Sequence, residues 1–136
     1  MAKTYNKFQQ FVEDEAHGVH DLETDQLVVA LTNVAPEATN SVLTDLTEVS
    51  YTDCSTRDIT TASSAQTTGT YKLTMTDLTL TSSGTVGPFR YVTIYNGTST
   101  SDSLICWFDY EASITLNDGE SIAIDFSAAN GLFTVA

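Results

Sequence analysis

SITLNDGESIAIDF, residues 113–126, places two alternating apolar and polar runs on either side of Asn117-Asp118-Gly119. Alternation with a period of two puts one side-chain set on one face of a strand, and Asp-Gly supplies the positive φ of a tight turn. The stretch therefore predicts two strands joined as a hairpin, with Gly119 at the left-handed position. Moving outward, RYVTIYN (90–96), LICWFDY (104–110) and LFTV (132–135) have the same short, β-branched and aromatic character. Polar segments separate them: NGTSTSDS, the brief EA at 111–112, NDGE and SAANG. Short strands at regular spacing with polar turns predict a mainly β chain, an antiparallel sandwich or barrel-like fold.

Further out, YKLTMTDLTLT (71–81) carries its apolar residues at Tyr71, Leu73 and Met75, then at Leu78 and Leu80. The parity changes at Asp77, and a β-bulge there would restore a single buried face. TTASSAQTTGT (60–70) has the composition of a linker, yet Thr suits a half-exposed strand, so we read it as strand. QLVVALT (26–32) reads as a mostly buried strand. In NVAPEATNSVLTDLTEVS, from Asn33, Val42, Leu43 and Leu46 predict a short helical turn.

The first segment differs. Tyr5, Phe8, Val12 and Ala16 recur at helical spacing, widened by Phe11. They predict an N-terminal helix over about 4–17, with Thr4 as N-cap and Gly18 closing it. The expected organisation is one domain over 1–136, this helix followed by a β-rich body over about 26–136.

The chain has 136 residues and a formal net charge of −13, with Lys3, Lys7, Lys72, Arg57 and Arg90 as its cations. Phosphate neutralisation needs clustered Lys and Arg, so nucleic acid is excluded as a partner. No apolar run approaches the roughly 20 residues of a membrane helix. Lys, Asn and Gln interrupt the N-terminal segment where a signal peptide would be apolar. The expectation is a soluble chain with no membrane partner and no export signal. Cys54 and Cys106 lack CxxC spacing, and without export they read as reduced thiols.

EDEAHGVHDLETD (13–25) holds both histidines, His17 and His20. A metal site would draw on His20, Asp21, Glu23 and Asp25. Glu13, Asp14 and Glu15 are consecutive on a helix and point in different directions, and Gly18 separates the histidines. The segment lacks the turn Gly and closing Glu of a calcium loop. It reads instead as a helix end followed by a solvated acidic turn, with no metal and no cofactor. A Ser-His-Asp hydrolase would have to recruit His17 or His20, and no GxSxG elbow is present. GTVGPF (84–89) has neither the Lys nor the following helix of a phosphate loop. NGT at 96–98 matches a glycosylation acceptor only formally. Phe89, Tyr91, Tyr95, Trp107, Phe108 and Tyr110 could form a carbohydrate-binding face. Alternation puts Cys106, Phe108 and Tyr110 on one side of a strand, with Ile105, Trp107 and Asp109 on the other. That favours a strand sandwiched between layers or at a subunit interface.

YNKFQQFVEDEAHGVHDLETDQLVVALTNVAPEATNSVL, with the later GPFRYVTIYNGTSTSDSLICWFDYEASITLNDGESIAIDF, resembles small virion proteins of tailed bacteriophages, some of them head decoration or cement proteins. The resemblance covers both ends of the chain and brings no catalytic residues. It implies a non-enzymatic protein on the capsid exterior of the virion, made in the host cytoplasm, with the major capsid protein as partner. It also implies a closed homo-oligomer, such as a trimer at local threefold positions. Lys3, Tyr5, Lys7 and Phe8 form the one locally basic and aromatic segment, and Arg57 and Arg90 are isolated cations. These six residues are the expected capsid or subunit interface. The rival readings are a tail or fibre component with a host-glycan-binding sandwich, and a small hydrolase.

Overall fold

The computed structural model describes residues 4–126 and 131–135, and the following concerns those residues. The elements in chain order are β1 (Thr4–Lys7), α1 (Gln10–Ala16), β2 (Leu27–Thr32), a 3₁₀ turn (Leu43–Asp45), β3 (Asp58–Ile59), β4 (Thr61–Thr67), β5 (Thr70–Met75), β6 (Leu78–Thr81), β7 (Val86–Asn96), β8 (Leu104–Leu116), β9 (Ser121–Ile124) and β10 (Phe133–Val135). They form a five-stranded sheet in the order β1-β8-β7-β2-β3, a three-stranded sheet β10-β5-β4 and a β6-β9 pair. All the pairings are antiparallel. The fold is mainly β, with the sheets packed as a sandwich rather than closed into a barrel.

β2 explains why QLVVALT is continuously apolar. It pairs with β7 on one side and β3 on the other, and all six of its residues are buried. Leu27, Val29 and Leu31 point into the main core with Ile59, Leu73, Met75, Leu80, Phe89, Val92 and Ile94. Val28 and Ala30 point the other way, into a smaller cluster with Phe8, Tyr95 and Leu104, where Leu43, Leu46 and Trp107 pack. A strand covered on both faces has no reason to alternate. β8 is likewise loaded on both sides, Cys106 and Phe108 toward the main core and Trp107 toward the smaller one. Ile105 departs from the alternation and joins the main core, because the register shifts between Ile94↔Cys106 and Tyr95↔Leu104.

Four expectations are corrected. The N-terminal helix does not begin at Thr4: residues 4–7 form β1, pairing with the edge of β8 from Asp109 to Cys106. The helix is the shorter α1, and Gln9 rather than Thr4 stands at its N-cap, with no side-chain cap bond. The helical spacing was real but served three separate contacts. Tyr5 packs edge-on against Phe108, Phe8 against Trp107 in the smaller cluster, and Phe11 in the main core.

NDG turns the chain with Gly119 at φ +83°, but it does not join a hairpin. β8 pairs with β7 and β9 with β6, while the turn is held from outside, Ser82 N–H donating to Glu120 C=O and Gly119 N–H to Ser82 C=O, each at 2.9 Å. The parity change at Asp77 is a change of sheet, not a bulge, since β5 and β6 belong to different sheets. Asp77 there accepts a hydrogen bond from Phe126 N–H at 3.0 Å.

The strands expected at 104–110 and 113–116 are one strand, β8, kinked at Glu111 with φ +65°. Asp109 braces the kink. Its carboxylate accepts from Glu111 N–H at 2.7 Å and from Arg90 at 2.8 and 3.1 Å. Four of the five residues of SAANG, 127–130, lie outside the described residues.

Candidate functional site

α1 ends as its sequence predicts. Gly18 has φ +74°, Val19 N–H reaches Asp14 C=O at 2.9 Å and Gly18 N–H reaches Glu15 C=O at 3.2 Å. This paired closure uses the left-handed residue to satisfy carbonyls at the helix end. The reversal sends the two histidines apart. His17 is exposed and lies 3.7 Å from Glu13 on its own helix, while His20 is 6% exposed and its ring packs 5.3 Å from that of Phe11.

His20 is therefore not part of a solvated turn, which corrects the reading of 20–25. A compact loop follows it. Asp25 N–H donates to Asp21 C=O and Asp21 N–H to the Asp25 carboxylate, each at 2.8 Å. This loop is tied to the far end of β7 by Asn96, which is fully buried. The Asn96 side-chain carbonyl accepts from Thr98 N–H at 2.9 Å and Ser99 N–H at 3.2 Å. Those backbone donors fix the amide orientation, so its NH₂ faces Asp25 Oδ2 at 2.6 Å and His20 Nδ1 at 3.0 Å. An N–H aimed at Nδ1 requires that nitrogen to be the acceptor, and a neutral His20 then carries its proton on Nε2. Burial lowers the His20 pKa, against the opposing pull of Asp14 and Asp25.

His20 lines a cleft of about 500 Å³ with Glu15, Asp21, Leu22, Glu23, Ser64, Tyr71 and Val135. Glu15 Oε2 and His20 Nε2 are both buried without a hydrogen-bond partner. Burial, then the Asp21 charge, raises the Glu15 carboxyl. Burial chiefly raises the Tyr71 hydroxyl as well, with Glu15, Asp21 and Glu23 adding to it and a 2.8 Å bond to Ser64 opposing. Ser64 Oγ is thus engaged by Tyr71, and the carboxylate Asp25 meets Asn96 rather than the imidazole. That is not the serine-histidine-carboxylate relay a hydrolase would use. Among the described residues no three His, Cys, Asp or Glu side chains converge to hold a metal ion.

A second concavity, about 850 Å³, lies between β1, α1 and β10. Tyr5, Phe11, Val12, Ala16, Leu132, Phe133 and Val135 give it an apolar lining, with Lys7 and Glu15 as its charges. Tyr5, Val12 and Val135 are 37%, 54% and 51% exposed.

Of the expected interface residues, Tyr5 and Lys7 line this groove, and Lys3 lies outside the described residues. Phe8 is fully buried in the smaller core. Arg57 donates to Val29 C=O at 2.6 Å and stacks 3.6 Å from the Tyr51 ring centre, and Arg90 holds Asp109. Phe8 thus packs the chain's own core, and Arg57 and Arg90 each make a contact within the chain. Of the expected aromatic face, Phe89 and Tyr95 are buried in the two cores and the others are half-buried. Cys54 and Cys106 are free thiols.

The residues that sequence reasoning missed are Asn96, Tyr71, Ser64, Val12 and Val135. Asn96 was visible only as the end of RYVTIYN and the start of NGT, and its side-chain partners His20 and Asp25 are 76 and 71 positions away. Val12 and Val135 become informative only when β10 is seen beside α1.

No protein-family model, curated protein or solved structure matches the chain. None of its described helices is long and apolar enough to cross a membrane.

Proposed function

We propose that the chain is a structural virion protein, a decoration or cement protein that binds the outer surface of a bacteriophage head and stabilises it. The observation that carries this reading is the apolar groove, where Tyr5, Val12 and Val135 stand exposed between the edge strands β1 and β10. Exposed apolar side chains gathered at a concavity mark an interaction surface, and sheet edges offer backbone donors and acceptors to a partner strand. The resemblance of both chain ends supplies the partner, the major capsid protein, and the closed oligomer on the capsid exterior. Many copies each burying such a surface add their association energy to the shell.

The test mixes purified protein with capsids lacking it, followed by imaging. The expected result is saturable density at regular outer lattice positions, weakened by Val12→Asp and Val135→Asp, whose exposed positions leave the fold intact. Density confined to the tail, or no density, overturns the proposal.

A further inference from the structure

We infer that the cleft formed by the end of α1, the 20–25 loop and the β4–β5 hairpin is a binding site for one neutral polyhydroxylated ring, a pyranose. This does not depend on the capsid reading, although the cleft adjoins the apolar groove and shares Glu15 and Val135 with it. His20 is more than nine-tenths buried, lines the cleft, and has a nitrogen with no partner. Asn96 fixes what that nitrogen is. Because the Asn96 amide is held by two backbone donors and gives its N–H to Nδ1, the remaining Nε2 is a donor. Glu15, on the same cleft wall, leaves Oε2 as a buried acceptor.

The ligand must therefore accept from one group and donate to another. An anion would face Glu15, Asp21 and Glu23, which all line the cleft. A cation would suit those carboxylates but leave the Nε2–H donor unanswered, and a buried donor without an acceptor is destabilising. A hydroxyl is donor and acceptor at once and answers both. Tyr71 and Ser64 supply further hydroxyls, Leu22 and Val135 an apolar surface for ring carbons, and the volume of about 500 Å³ suits a small molecule. Both unpartnered atoms are sealed from solvent, so the ring reaches them only when a side chain of the cleft wall moves.

The test is a titration of the full chain with methyl glucoside, methyl galactoside and methyl mannoside, watched by heteronuclear NMR. The expected result is saturable movement of the His20 imidazole nitrogens and of the Glu15 and Tyr71 amides with at least one pyranoside. Glu15→Ala, which retains the rest of the spectrum, weakens it by about tenfold or more, because a hydrogen bond to a charged group is lost. Two results overturn the inference. One is tighter binding of n-butylammonium or acetate than of any pyranoside. The other is no saturable response to any of the three, as expected if His20 Nε2–H donates directly to Glu15.

Discussion

Asn96 binds two segments that share nothing in sequence, and it determines the chemistry of His20 without touching solvent. Its amide leaves Nδ1 no room for a proton, which adds geometry to the burial that already lowers the His20 pKa below 6.5. The pH consequence follows from linkage. With the folded pKa below the unfolded one, the folded state binds fewer protons. The stability from neutral His20 is full above about pH 6.5 and is lost as pH falls through the lowered folded value. Glu15 acts with the opposite sign, since its raised carboxyl favours the protonated form and loses stability as pH rises from 4.5 through its folded value. Urea unfolding of the wild type and His20→Asn from pH 8 to 5.5 should isolate the histidine. The wild type loses stability on acidification, and the variant loses less.

At the scale of elements, what could be read in the sequence was what depended on near neighbours or on complete burial. β2 was legible because a strand buried on both faces must be apolar throughout. Gly18 and Gly119 were legible because positive φ is a local demand. The partner of β9 was not. NDG specifies a turn, but whether the flanking strands pair is settled by competition with the β6 edge and by the Ser82 backbone, far back in the chain. The N-terminal stripe misled for a related reason: Tyr5, Phe8 and Phe11 reach three different neighbours while satisfying helical spacing. Within the candidate site, His20 was visible as a residue, but its burial and its link to Asn96 depended on tertiary contacts. The double burial of β2 has a measurable effect. Leu31 is fully buried in its centre, so Leu31→Ala should cost about 2–5 kcal/mol in urea denaturation. Val34, 59% exposed just beyond the strand, should change stability by less than about 0.5 kcal/mol when replaced by Ala.

For the whole molecule, the decisive quantity is the net charge of −13 on a single small sandwich. Arg57 and Arg90 are committed to the fold, which leaves the surface dominated by carboxylates. Such a surface repels itself in the compact state, and salt relieves that repulsion. The thermal midpoint should rise by a few degrees between about 0.02 and 0.2 M sodium chloride, where the Debye length falls from roughly 20 to 7 Å. A flat or falling midpoint in calorimetry would mean that the carboxylates are already compensated within the fold.

The buried Asn96 also determines where this protein can be made. NGT at 96–98 is an acceptor sequence for the oligosaccharide transferase of a eukaryotic secretory pathway, which acts on chains before they fold. Both hydrogens of that amide are committed to His20 and Asp25 inside the sandwich. A glycan attached there would take one hydrogen and wedge a sugar into the interior. Production in a eukaryotic secretory host therefore sets modification against folding, and a bacterial cytosol, where the sequon is not read, avoids the conflict.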